Sequence, residues 1–109
     1  MKPTIGRTVI FRITEEQAQQ INRRRTNSQS IAARIGDDKW PLGAQAHIGN
    51  EVHAGDEFPM VIVRVWNEWS VNGQAMLDGN DTLWTLSAQT GNENGQWRWP
   101  ERVEGIEKL

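Results

Sequence analysis

Residues 58–88, FPMVIVRVWNEWSVNGQAMLDGNDTLWTLSA, contain three runs rich in β-branched, aromatic and aliphatic side chains, cut by short polar segments. The runs predict strands at Phe58 to Trp66, Val71 to Leu77 and Thr82 to Ala88, with Asp78-Gly79-Asn80-Asp81 as a hairpin turn between the last two. Upstream, Ala54-Gly55-Asp56 marks a turn and Ala44 to Ile48 a further short strand. Downstream, Gly91-Asn92-Glu93-Asn94-Gly95 leads into a strand at Gln96 to Trp99. Short strands joined by tight turns in so few residues favour a small closed or nearly closed antiparallel β-barrel of the SH3-like kind, because closure removes exposed strand edges.

The amino-terminal third adds helix to this pattern. Ile5, Arg7, Val9, Phe11 and Ile13 alternate with Gly6, Thr8, Ile10 and Arg12, which predicts a first strand with its odd positions inward. Thr14-Glu15-Glu16-Gln17 has the Thr-x-x-Gln form of a capping box, with acidic residues in the first turn where the helix dipole favours them. A helix follows to about Arg25. Thr26-Asn27-Ser28 offers cap-type residues, and Ile31, Ala32 and Ile35 give a second apolar face ending at Gly36, so the insert is expected to be two short helices or one kinked helix. Asp37 to Gly43, with Trp40-Pro41, reads as a loop. The expected class is therefore α+β, one domain over residues 1–109.

Composition narrows the chemistry. Twelve Lys and Arg against fourteen Asp and Glu give a formal charge of -2, which argues against affinity built mainly on neutralising phosphates. The absence of Cys removes disulfides, thiolate nucleophiles and Cys-based zinc sites. No apolar stretch approaches a membrane span or a signal peptide, and a cytoplasmic protein is expected. The sequon Asn80-Asp81-Thr82 then reads as a turn. There is no P-loop, dinucleotide fingerprint or nucleophile elbow, so a non-enzymatic protein without cofactor is expected.

Arg23-Arg24-Arg25 is the densest positive charge, and a solvated helix end is its ordinary explanation. Helical spacing separates the three. Arg25 falls with Ala18 and Ile21 on the core-facing side, Arg24 on the flank, and Arg23 nearly opposite. Arg25 at a helix–barrel seam can hold a phosphate or carboxylate bidentately, with Arg24 and Thr26 beside it. His47 and Asn50 could add polar contacts, although His47 and His53 match no zinc-ligand spacing. For the six tryptophans, core filling is the commoner use, and the pattern leaves open which are core and which are contact surface. Arg64 is expected to share a face with Ile62 and Trp66, setting a guanidinium beside an indole as a base-stacking element. Asp78 and Asp81 look like paired carboxylates, but Asp-Gly-Asn is first a turn sequence.

The blocks Ile21 to Thr26, Ala44 to Asn50, Gly55 to Met60, Val71 to Gln74, Leu77 to Trp84 and Trp97 to Val103 resemble a family of small uncharacterised proteins encoded by tailed bacteriophages. The resemblance spans nearly the whole chain and supplies no catalytic residue. It implies a phage gene product acting in the host bacterial cytoplasm. Joined to the residues above, it predicts an accessory binding protein that sequesters an anionic nucleotide-like ligand to counter host defence. The candidate contacts are Arg24, Arg25, Thr26, His47, Asn50, Arg64 and Trp66. A protein-interaction module is the alternative, either a virion or assembly component or an inhibitor of a host protein, with exposed tryptophans against a partner or in a homo-oligomer. Single-stranded nucleic acid is a further alternative, disfavoured by the net acidity.

Overall fold

The computed structural model describes residues 1–35 and 49–101. Strand β1 is Thr8–Arg12, with Val9 and Phe11 buried and their neighbours turned outward. The inward register of odd positions begins only at Val9. Ile5 is 71% exposed and Arg7 is also exposed, because Gly6 adopts φ +92° and Arg7 N donates to Thr4 O in a turn that breaks the alternation.

Helix α1 follows as Glu15–Ile35. Its start is a reciprocal capping box: Gln17 N donates to Thr14 Oγ1 at 3.1 Å and Thr14 N donates to Gln17 Oε1 at 2.9 Å. A break into two helices at Thr26-Asn27-Ser28 does not occur, and one continuous helix runs through these residues. No glycine or proline lies between Glu15 and Ile35, and mid-helix Thr, Asn and Ser cost only a few tenths of a kcal/mol each, roughly, which good helix formers on either side offset.

Four further strands complete the sheet: β2 (Glu57–Val65), β3 (Ser70–Met76), β4 (Thr82–Thr90) and β5 (Gln96–Arg98). They close into a barrel in the order β1-β2-β3-β4-β5. A ring of five strands cannot alternate in direction all the way round, so one neighbouring pair has to run parallel. That pair is β4·β5, joined only by Gln89↔Gln96 and Thr90↔Trp97, while β5 also pairs antiparallel with β1 through Phe11↔Trp97. The strand expected at Ala44 to Ile48 lies outside the described residues.

Val9, Phe11, Ile13, Met60, Ile62, Val71, Ala75, Leu83, Ala88 and Trp97 fill the interior, and Ala18 and Ile21 of α1 join the same core. Trp97 is buried, donates Nε1–H to Ala88 O at 3.0 Å, and meets Trp99 edge-on with ring centroids 5.6 Å apart. Asn22 fastens the helix to the segment before β2: its amide oxygen accepts from Val52 N at 2.9 Å and its amide nitrogen donates to Val52 O at 2.8 Å.

Two bulges shape the outside of the barrel. The β2·β3 register shifts between Ile62 and Arg64, and the β3·β4 register shifts opposite Asn72, between Val71 and Gly73. Each bulge gives the longer strand an extra residue on the outer side. The first corrects the expectation that Arg64 shares a face with Ile62. Ile62 is fully buried, Val63 takes up the extra position, and Arg64 and Trp66 both face outward.

Candidate functional site

Arg25 reaches the seam between helix and barrel and is buried there. Its Nε and Nη2 donate bidentately to Asp81 Oδ2 and Oδ1, both at 2.9 Å, and Nη2 also lies 3.3 Å from Asp78 Oδ1. Nη1 donates to the carbonyl oxygen of Asn50. The Asn50 side chain closes the cluster by donating to Asp78 Oδ2 at 3.3 Å. Arg25 thus ties α1 to the β3–β4 turn and to the segment entering β2. The guanidinium hydrogen bonds hold the Asp81 carboxyl below the usual carboxylate range, against the opposing effect of its partial burial. The Arg25 guanidinium is raised above its ordinary value, chiefly by its hydrogen bonds to Asp81.

The glycines at this seam are there for lack of space. A Cβ on Gly49 would lie 2.2 Å from the Asp78 carbonyl oxygen and 2.9 Å from Arg25 Nη2. Arg24 is exposed and donates to Thr82 O at 3.3 Å, and Thr26 is exposed beside it. His47 lies outside the described residues. His53 sits on the surface with Glu51 and Asp56 each 3.9 Å away, and its backbone N–H donates to Asp56 Oδ2 in the turn before β2.

The other predicted residues lie elsewhere. Arg64 stacks over the Trp66 ring at 4.4 Å from its centroid, beside the β2–β3 hairpin. The Arg25 cluster sits at the β3–β4 turn, the opposite end of β3. With a rise of about 3.3 Å per residue, the two groups are on the order of 20 Å apart. Arg24, Arg25 and Asn50 therefore come together, Arg64 and Trp66 come together, and the two sets do not converge on one ligand.

Between them lies a surface that sequence reasoning did not single out. Outward positions on β2, β3 and β4 include Val61, Val63, Arg64, Gln74, Met76, Trp84 and Leu86, and the register sets Val61, Gln74 and Trp84 in one row. Trp66, Trp84 and Leu86 are 51%, 50% and 70% exposed, with Val63 and Met76 close to half exposed and Trp69 at the hairpin end. No residue of β3 or β4 is charged. The outward charges of β2 are both engaged, Arg64 on Trp66 and Glu57 with Arg98.

The polar side chains of this face satisfy one another. Gln74 Nε2 donates to Thr82 Oγ1 and Gln89 Nε2 to Ser70 Oγ, both at 3.0 Å. Asn72, buried although it points outward, accepts from Trp66 Nε1 at 2.9 Å and from Ser87 N at 2.7 Å. Ser87 holds φ +50°, a left-handed conformation unusual for serine, at the bulge where Leu86 and Ser87 both face outward before Ala88 returns to the core. The face is held in shape by its own hydrogen bonds and presents chiefly apolar side chains. The signal for it in the sequence was the run of uncharged residues on both faces of two adjacent strands.

Among the described residues, no helix is long and apolar enough to cross a membrane. Compared with known proteins, the chain matches no family model, no curated protein and no solved structure.

Proposed function

We propose that this chain is a non-enzymatic protein-interaction module whose working surface is the tryptophan-bearing outer face of β2, β3 and β4, two of which carry no charge. The observation that carries this reading is that face itself. A solvated sheet surface ordinarily carries charge, whereas here three tryptophans, a leucine, a methionine and a valine stand exposed on or beside strands of which two have no charge. The setting that accompanies it is a phage-encoded protein with an SH3-like barrel, working in the host bacterial cytoplasm as an assembly component or as an inhibitor of a host protein.

Capture of an anionic nucleotide-like ligand is the second reading, favoured by Arg64 lying over an exposed indole. A phosphate at Arg25 would have to displace Asp81 from a bidentate pair. Exposed Arg24 is the cation at that seam with room for an anion.

Native mass spectrometry of the protein from phage-infected cells, followed by denaturation, distinguishes the readings. A bound polypeptide lost on Leu86→Glu and kept in Arg24→Ala supports the interaction module. An intact nucleotide, lost on Arg24→Ala and kept in Leu86→Glu, supports ligand capture and overturns it.

A further inference from the structure

We infer that the partner of this face is a second copy of the same chain, docked face to face across a two-fold axis. The inference rests on the interaction-module reading and names the occupant of that surface. β2 and β3 have strand neighbours on both sides, so strand addition is not available to them, while β4 is paired along β3 and meets β5 at Gln89 and Thr90. What they offer a partner is an outer face, and face-to-face packing of two sheets at about 10 Å separation is the standard way to cover one.

Area and charge both fit a copy of the chain. Burial of a large aromatic side chain covers roughly 150–250 Å². Half of each exposed indole, with the free parts of Leu86, Met76 and Val63, makes on the order of 600 Å² of apolar surface, against about 800 Å² per partner in a standard interface. Val61, Gln74 and the Arg64 stem, set among these side chains on β2 and β3, make up most of the rest. In a two-fold interface, groups near the axis meet their own kind. A charge there would repel itself, and β3 and β4, which form the middle and one side of the face, carry none. The polar groups are paired within the chain, so a copy need supply no complementary donor or acceptor.

The two bulges lie on either side of β3, and exposed Val63 of β2 and Leu86 of β4 flank the buried Asn72 between them. A copy turned by 180° brings these same apolar side chains against the face.

The test is sedimentation velocity of the purified protein over a wide dilution series, with acrylamide quenching of tryptophan fluorescence at each concentration. A dimer whose quenching falls as it forms is expected. Leu86→Glu should raise the dimer dissociation constant by about 30-fold or more. Because Leu86 is exposed, the circular dichroism of this variant, and its melting temperature at dilutions where both proteins are monomeric, should match those of the parent. Val63→Lys should act in the same direction, and Arg23→Glu, on the solvent side of α1, should leave the dimer intact.

A parent protein that stays monomeric at every concentration, or a dimer that survives both Leu86→Glu and Val63→Lys, overturns the proposal. Failure of the broader reading looks different. If a polypeptide recovered from infected cells is still bound by the Leu86→Glu variant, the face is not the working surface for any partner. A monomeric parent whose recovered polypeptide is released by Leu86→Glu overturns only the identity of the occupant.

Discussion

Replacing Arg25 by methionine keeps an unbranched stem of similar length in the seam and removes every hydrogen bond of the guanidinium. Asp81 then loses its bidentate partner and the Asn50 carbonyl loses its donor. Removing one member of a buried ion pair costs about 3–5 kcal/mol, because the remaining charge stays desolvated. The Asp81 side chain is 23% exposed and that of Asp78 42%, so water recovers part of this. A loss of roughly 2–3 kcal/mol follows. For a domain of about 100 residues, this lowers the melting temperature by about 10–15 °C.

The assay is urea unfolding followed by tryptophan fluorescence, run on Arg25→Met, Asp81→Asn and the double variant. The two single losses should be strongly non-additive, with a coupling of about 1.5 kcal/mol or more. Arg23→Ala is the control and should unfold like the parent. A coupling below about 0.5 kcal/mol, within the usual scatter for independent sites, would refute the argument that this pair clamps the helix to the barrel.

Two more outcomes follow from the same seam. Asp81 has a depressed folded-state pKa, so its contribution is fully present above its unfolded value near ~3.9 and is lost as pH falls through the lower folded value. Urea midpoints measured from neutral to strongly acid pH should show this loss in the parent, and Arg25→Met should lack that part of it. Gly49→Ala should destabilise by about 2 kcal/mol or more in the same unfolding assay, because its Cβ meets the Asp78 backbone. Gly6→Ala, with nothing within 4 Å of the added carbon but φ +92°, should cost only about 1 kcal/mol from backbone strain.

The strands from Phe58 onward were legible because their runs are dense in β-branched and aromatic residues and the turns between them are chemically explicit. The helix start was legible for a similar reason: Thr14 and Gln17 form both bonds of a capping box. Its extent was not. Thr26-Asn27-Ser28 has the chemistry of a cap, but a cap acts only where backbone donors are left without partners, and here the helix continues through it. The inward placement of Arg25 came directly from helical spacing. Its counter-ions did not, since Asp78 and Asp81 lie more than fifty residues away, and their turn chemistry accounted for them without invoking a partner. The Arg64 face was misjudged because strict alternation cannot register a bulge, and one extra residue at Val63 reverses the side of everything beyond it.

The odd number of strands also bears on how the protein is made. β1 leaves the ribosome first, yet one of its two neighbours is β5, and Phe11 waits for Trp97 to be synthesised. Until then the nascent chain can assemble β1 to β4 as a curved open sheet with a bare edge on either side. The final step joins β5 to both edges at once, antiparallel to one and parallel to the other. Closure therefore requires β5, and a truncated product ending before Gln96 would leave Ile10 and Phe11 of β1 and the Gln89–Thr90 end of β4 without their strand partner, a substrate for chaperones and proteases.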